Sequence, residues 1–293
     1  MKNKAAPWIL MAPFLLLFVL TIIVPIIIAI QQSFLTVSRH GLVGNEGSTT
    51  SFAGFDNYIQ ALSNPNFVHS IGRMIVFGIV QVSVMIIAAT VLALLLESAS
   101  AAWPWLFRTA YFLPYGIPGV IATILWSFLY VPGLSPVVDV LSWTGIQVDF
   151  LSPETVLWSI ANIVTWTYTG YNMLIIVAQL KSIPPEIYEA AKIDGAGPLR
   201  IARSIQVPLI RPALLLTIIF SIIGTLQLFA EPQVLADVAP SIDKEFTPNL
   251  SAYTYAFQFH DIGVASAQAV LIALAAFILS AVALAISHRG GRK

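Results

Sequence analysis

Two groups of residues in this chain have the types and spacing to do chemistry. The first is the run Glu189-Ala190-Ala191-Lys192-Ile193-Asp194-Gly195-Ala196, followed by Arg200, Arg203 and Val207-Pro208. Carboxylates and cations alternate there at short spacing. Two adjacent alanines let another backbone come close, and a glycine supplies the left-handed turn that stops a helix. This is chemistry for docking, not for making bonds. The second group is Asn162, Thr165, Trp166, Tyr168, Tyr171 and Asn172, joined later by Thr225 and Gln227 beside Phe229. Amides hydrogen-bond hydroxyl groups, and aromatic faces stack on C–H surfaces, so these residue types suit a weak sugar site. Asn162 and Trp166 are four apart and share one helix face. The same residue types also glue helices together and anchor them at interfaces.

Other chemistry is excluded or disfavoured. There is no cysteine, so disulfides, thiolate metal sites and a cysteine nucleophile are absent. His40, His69, His260 and His288 are scattered, and no pair has ligand spacing, so no metal site is expected. No Gly-x-x-x-x-Gly-Lys phosphate loop occurs, so ATP hydrolysis is not expected of this chain. Net charge is zero, which gives no general attraction to nucleic acid.

The elements that position these residues are greasy. The chain is 58% hydrophobic and 10% charged, against about a quarter charged in ordinary soluble domains, so its solvent must be lipid. The expected fold is all-α: one transmembrane domain over 1–293 with six spans at about 8–31, 74–96, 108–131, 155–179, 209–230 and 263–287. The apolar run from Ala5 to Ser38 is too long for a cleaved signal and reads as a retained first span, kinked at Pro25. Pro114, Gly116, Pro118 and Gly119 break or bend the third span near its start. Trp103, Trp105, Trp126, Tyr130 and Trp143 read as interfacial anchors. The spans hold almost no charge, which argues against a proton or ion relay.

Basic residues set the orientation. With the N-terminus inside, the inner segments hold Lys2, Lys4, Arg108, Lys181, Lys192, Arg200, Arg203, Arg211, Arg289, Arg292 and Lys293. Only Arg39, Arg73 and Lys244 stay outside, so both termini and the 181–208 loop are expected to be cytoplasmic. The outer loops include a Gly- and Ser-rich stretch, Gly41–Gly54, and a surface helix over Asn57–Leu62.

Within the 181–208 loop, Pro184-Pro185-Glu186 opens a helix that runs to Ile193, and Gly195 ends it. Glu186, Glu189 and Lys192 fall on one side of it, Ile187, Tyr188, Ala190 and Ala191 on the other. Pro198 starts a second short helix through Ile205. Asp194 is expected to cap the next turn or to pair with Arg200 or Arg203.

The stretch from Ile183-Pro184-Pro185-Glu186 to Asp194-Gly195-Ala196, with Val207-Pro208-Leu209-Ile210-Arg211-Pro212 after it, resembles the EAA loop of permease subunits in binding-protein-dependent ABC importers. More narrowly it resembles the carbohydrate branch, related to the maltose and glycerol-3-phosphate permeases. Phe52-Ala53-Gly54-Phe55-Asp56-Asn57-Tyr58, Phe107-Arg108 and Phe112-Leu113-Pro114 resemble further family segments, so the likeness runs along most of the chain. One departure stands out. Where the family often has Gly-Gly-Pro after the fifth span, this chain has Leu228-Phe229-Ala230-Glu231-Pro232.

The resemblance implies a multi-pass protein of a prokaryotic cytoplasmic (inner) membrane, acting as the transmembrane subunit of an ATP-driven sugar importer. It implies a second permease subunit, a heterodimer being favoured over a homodimer. It further implies two ATPase subunits or domains carrying ATP and magnesium, and an extracytoplasmic solute-binding protein that delivers a sugar. Carried over by position, Glu189, Ala190, Ala191, Asp194 and Gly195 form the coupling helix that docks on the ATPase. Asn162, Trp166, Tyr171, Asn172 and Gln227 are the expected substrate-path residues. A self-sufficient secondary transporter and a membrane-embedded enzyme are the competing classes.

Overall fold

The computed structural model describes residues 6–39, 48–98, 102–145 and 147–290. Lys2, Lys4, Arg292 and Lys293, which entered the orientation argument, lie outside these, as do Gly41 and Glu46 of the first outer loop.

The chain begins with α1 (Ala6–Phe18) and α2 (Val24–Ser33), joined by one π-helical turn, Val19–Ile23. Pro25 has no N–H to give the turn before it, and the wide turn takes up that mismatch without a sharp break. A hairpin of β1 (Leu35–Arg39) and β2 (Ser48–Phe52) follows, with Leu35 opposite Phe52. This hairpin is not foreseen in the sequence reading. Then come α3 (Asp56–Ser63) and α4 (Pro65–Leu96). The Asn64 side chain accepts from the Asn66 N–H at 3.0 Å and Pro65 fills the first position, so α4 starts nine residues before the expected span.

The third apolar segment is broken, as its prolines and glycines require. It consists of α5 (Pro104–Phe112), a 3-10 turn at Leu113–Gly116 and α6 (Gly119–Tyr130), and the two helices are bent by 98°. After α7 (Pro136–Trp143), the 26-residue α8 (Val156–Lys181) runs through the centre. The loop helices are α9 (Pro185–Ile193), α10 (Pro198–Ile201) and α11 (Val207–Leu209), the last two joined by a π-turn, Ala202–Gln206. α12 (Arg211–Leu226) leaves this arm at 64° and ends earlier than expected. α13 (Ala230–Leu235), α14 (Pro248–Phe257) and α15 (Ile262–Gly290) complete the chain.

Among the described residues, three helices are long and apolar enough to cross a membrane: Trp8–Ser33, Pro65–Leu96 and Ile262–Ala285. Counting each bent pair as one span raises this to five. α8 is about 39 Å long at 1.5 Å per residue, but Asn162, Thr165, Thr167, Thr169 and Asn172 dilute its hydropathy.

The core sits between α4 and α8, which pack in parallel. Their first halves share a cluster through Met74, Phe77, Ile160 and Ile163. Their last halves share another through Ala89, Ala93, Met173, Ile176 and Leu180. α12 runs antiparallel to α4, with Leu214 and Ile218 against Val82, Met85 and Ile86. At the opposite end of the molecule, Asn57 donates to the Ser33 and Leu35 carbonyls, both at 2.9 Å, tying the hairpin to α3.

The same end is locked by a polar knot. Asn64 donates to Glu245 at 2.7 Å, Ser251 donates to Glu245 at 3.1 Å, and Arg73 donates to the Phe246 carbonyl at 2.6 Å while lying 4.2 Å over its ring. Burial, with the Glu245 carboxylate beside it, holds the Tyr255 hydroxyl above its ordinary range.

Trp103, Trp105 and Trp143 are exposed, which suits the interfacial role expected of them. Trp126 and Tyr130 are not interfacial. Trp126 packs edge-on to Trp166 at 5.6 Å, and Tyr130 is buried with its hydroxyl donating to the Ser159 carbonyl at 3.0 Å. The break in the third segment swings them inward.

Candidate functional site: an exposed arm and an aromatic cavity

The arm at the end of α8 is built as a rigid step. The Ser182 hydroxyl donates to the Gln179 carbonyl at 2.8 Å, and Pro184 and Pro185 redirect the chain into α9. α9 spans Pro185–Ile193, the range its prolines and glycine predict. Gly195 adopts φ +75°, the conformation an L side chain resists. The Ala196 N–H reaches the Ala191 carbonyl at 2.9 Å and the Gly195 N–H reaches the Lys192 carbonyl at 3.0 Å, a Schellman close.

One face of α9 holds the arm to the body. Ala191 is buried, and Tyr188 packs against the cluster of Leu180, Ile183 and Ile210. Gln206, on the stretch leading into α12, donates to the Tyr188 hydroxyl at 3.5 Å. The arm is thus fastened to α8 and α12 at once. At the same end, Arg108 on α5 pairs with Glu97 just past α4.

The other face is open. Glu189, Ala190, Asp194 and Gly195 are exposed. Ile193 is 87% exposed and Leu199 83%, two apolar side chains with no cover in this chain. The two-sided reading of α9 needs correcting here, because Ile187 and Ala190 are also exposed and only Tyr188 and Ala191 turn inward. Asp194 also departs from expectation. Among the described residues it neither caps a turn nor pairs with Arg200 or Arg203. Its charge is left facing outward.

The cavity, about 520 Å3, lies between α4, α8, α12 and the α12–α13 turn. That size is within the range of about 300–1,000 Å3 typical of small-molecule sites. Its wall is aromatic. Tyr115, on the 3-10 turn of the broken segment, stacks on Tyr171 of α8 at 4.6 Å and 16°, and meets Tyr168 edge-on at 5.8 Å. The break therefore brings a ring from one helix pair onto the face of another.

Polar groups stand around these rings. Asn172 donates to the Tyr168 carbonyl at 3.0 Å, and Gln227 lies at the end of α12. Gln81 donates to Thr165 at 3.4 Å, while its side-chain oxygen is buried without a partner. Glu231, at the start of α13 and beyond the end of α12, is the one charged residue among the described residues of the lining. Burial pushes its carboxyl above the ordinary range.

The structure divides the expected path residues. Tyr171, Asn172 and Gln227 line the cavity. Asn162 and Trp166 do not. Asn162 donates to the Tyr130 hydroxyl at 2.9 Å, and Trp166 packs on Trp126, so this face of α8 meets α6. Tyr168, named with that polar and aromatic group in the sequence, lines it too, whereas Tyr115, Gln81 and Glu231 were not expected. Tyr168 stands three before Tyr171 and four before Asn172, so helical spacing puts the three on one face. Tyr115 lies in a single 3-10 turn and Glu231 in the first turn of a six-residue helix, both too short for a periodic pattern to place them.

Tyr171→Ala is expected to weaken binding of a hydroxylated ligand in the cavity by about tenfold while the chain stays folded. It removes a stacked pair worth about 0.5–1.5 kcal/mol together with a large contact face. Tyr171→Phe should keep most of the binding. Calorimetric titration of the purified protein, set beside its thermal stability, checks this.

Comparison with known proteins places the chain. Residues 86–290 match the family model described as binding-protein-dependent transport system inner membrane component. The chain is 28% identical, over 98% of its own length and 96% of the relative's, to the probable starch degradation products transport system permease protein AmyD of Thermoanaerobacterium thermosulfurigenes. It is 30% identical to the lactose transport system permease protein LacF of Rhizobium radiobacter, over 86% of this chain and 83% of that one. Its fold matches a chain of a bacterial ABC transporter involved in import of the acidic polysaccharide alginate. The TM-score is 0.83 at 22% identity, and the match covers 98% of each chain.

Proposed function

We infer the role of this chain from one premise: it belongs to the family of binding-protein-dependent transport system inner membrane components. It is a permease subunit of an ABC importer, a multi-pass inner-membrane protein and not an enzyme. Its cargo is a sugar or oligosaccharide. The observation that carries this reading is the cavity, where the stacked Tyr115 and Tyr171 rings stand beside Asn172 and Gln227. The starch and lactose systems of its relatives agree with that cargo class.

The chain crosses the membrane six times with both termini in the cytoplasm. Parallel packing of α4 and α8 supports this, because two parallel spans need one return crossing between them, and the bent α5–α6 pair supplies it. Val264 of α15 packs beside Phe67, at the start of α4, so α15 runs parallel to α4 and carries the C-terminus inward. A cysteine at Ser182 should then be labelled only from the cytoplasm, and one at Ser142 only from outside. Membrane-impermeant maleimide on right-side-out and inverted vesicles distinguishes the two, and a reversed pattern contradicts the topology.

Glu189, Ala190, Ala191, Asp194 and Gly195 belong to a coupling arm seated in an ATPase subunit. The exposed Ile193 and Leu199 are its apolar contacts, and Tyr188 and Ala191 hold it to the body. ATP and magnesium act on the two ATPase subunits, and this chain transmits their closure through α9 to α8 and α12. A second permease subunit completes the path, and an extracytoplasmic binding protein delivers the sugar. Purification through a tag on this chain, with subunit stoichiometry from native mass spectrometry, tests the assembly. One copy of this chain, one of a different permease and two ATPases are expected. A lone chain or a complex without ATPase contradicts the reading.

A further inference from the structure

We infer that this chain's face of the cavity selects uncharged, hydroxyl-rich sugars over anionic ones, through the side chain of Glu231. This rests on the importer reading above and names the charge class of its cargo.

Among the described residues no Lys, Arg or His lines the cavity, and Glu231 is its one charged residue. Among the described residues the one ion pair is Arg108–Glu97, which is not part of that lining. No cation among the described residues therefore neutralises Glu231, and none of them lines the cavity to receive an anion. The carboxylate sits at the start of the broken segment's second helix. Its Oε1 lies 3.8 Å from where a Cβ on Gly119, the first residue of α6, would stand. The partial positive charge of that helix end offsets part of the carboxylate's field but is not a full cation.

A phosphate, sulfonate or uronate entering this space loses its water, finds no counterion and approaches a like charge. Each of these is costly in a half-buried site. A neutral sugar meets the opposite situation. Its hydroxyls donate to the carboxylate and to amide oxygens, and its C–H face lies on Tyr115 and Tyr168. Known systems of this fold and family carry both kinds of cargo, since alginate is acidic while starch products and lactose are not. A charge at the cavity wall is the kind of feature that would separate them.

The chain has no cysteine, so Ser221→Cys places a single reporter thiol of this subunit on the cavity wall. In the assembled complex, that thiol is treated with a cationic trimethylammonium-ethyl and an anionic sulfonatoethyl methanethiosulfonate. Rates are read on this subunit by mass spectrometry and divided by those for 2-mercaptoethanol. A preference for the cationic reagent of about tenfold is expected. Glu231→Gln, nearly isosteric, should bring the ratio close to one, and Glu231→Lys should reverse it. Equal rates without the Glu231 change, or an unchanged preference in Glu231→Gln, overturn the inference.

Mass spectrometry of the sugar released by the binding protein that stimulates this complex gives a second reading. An uncharged sugar is expected, and a uronate, sulfonate or phosphate overturns the proposal. Failure of every binding protein to stimulate ATP hydrolysis contradicts the importer reading instead, and the reagent ratio still reports the cavity's field.

Discussion

Replacing both Ile193 and Leu199 with aspartate is expected to abolish ATP-driven uptake while leaving the chain folded in the membrane. Both side chains are more than four-fifths exposed and meet nothing in this chain, so the body loses no contact when they change. Their burial in a partner groove would stabilise the complex by about 1.5–3 kcal/mol each. Losing both costs about 3 kcal/mol or more, at least two orders of magnitude in affinity. Aspartate adds a desolvation cost to that loss. Purified ATPase subunit should bind the double variant at least about a hundredfold more weakly in detergent. Normal binding would mean that the arm's apolar tip is not the contact. Gly195→Pro tests the same arm through its geometry, because proline cannot adopt φ +75° and removes the N–H that closes the turn on Lys192.

The second large effect lies in the core. Gly170→Ala should prevent stable assembly. A Cβ at Gly170 would stand 1.8 Å from the Tyr111 carbonyl oxygen and 2.4 Å from its carbon. These are backbone atoms at the end of α5, so no side-chain rotation relieves the clash. α8 and the broken segment would have to separate, and Tyr115 would move off Tyr171. Overpacking of close-packed interiors costs about 1–3 kcal/mol, and a backbone clash lies at the upper end or beyond. Gly72→Ala is the control, because nothing lies within 4 Å of a Cβ there. Thermal stability of the purified complex should fall clearly for Gly170→Ala and stay unchanged for Gly72→Ala. Equal stabilities would contradict the close approach described here.

Much of this protein was legible in its sequence, and the reasons are local. Pro185 and Gly195 bracket α9 because proline suits a first turn and glycine a left-handed stop, and neither depends on tertiary context. The break at Pro114, Gly116, Pro118 and Gly119 follows from backbone rules as well. The rotation of α8 was not legible. Most faces of that helix bury residues, so no single apolar stripe says which way Asn162 points, and contact with Tyr130 decides it. The extent of α4 was missed because hydropathy marks where lipid begins, whereas the Asn64 cap marks where the helix begins. The strand pair between α2 and α3 is set by pairing across a stretch of glycine, serine and threonine, which carries no alternating apolar pattern. Glu231 stands in the sequence only as part of the stretch after the fifth span, and it takes the fold to turn α13 against α6.

The central claim is that this chain moves sugar only as part of an ATP-driven assembly coupled through its α9 arm. Uptake of radiolabelled sugar into proteoliposomes tests it most directly. The vesicles hold this chain, the second permease and the ATPase subunits, with ATP enclosed and the binding protein outside. Uptake should require ATP and binding protein together, and the Ile193→Asp, Leu199→Asp variant should eliminate it. Uptake by this chain alone, driven by a sugar or ion gradient without ATP, would contradict the account and identify a self-sufficient transporter.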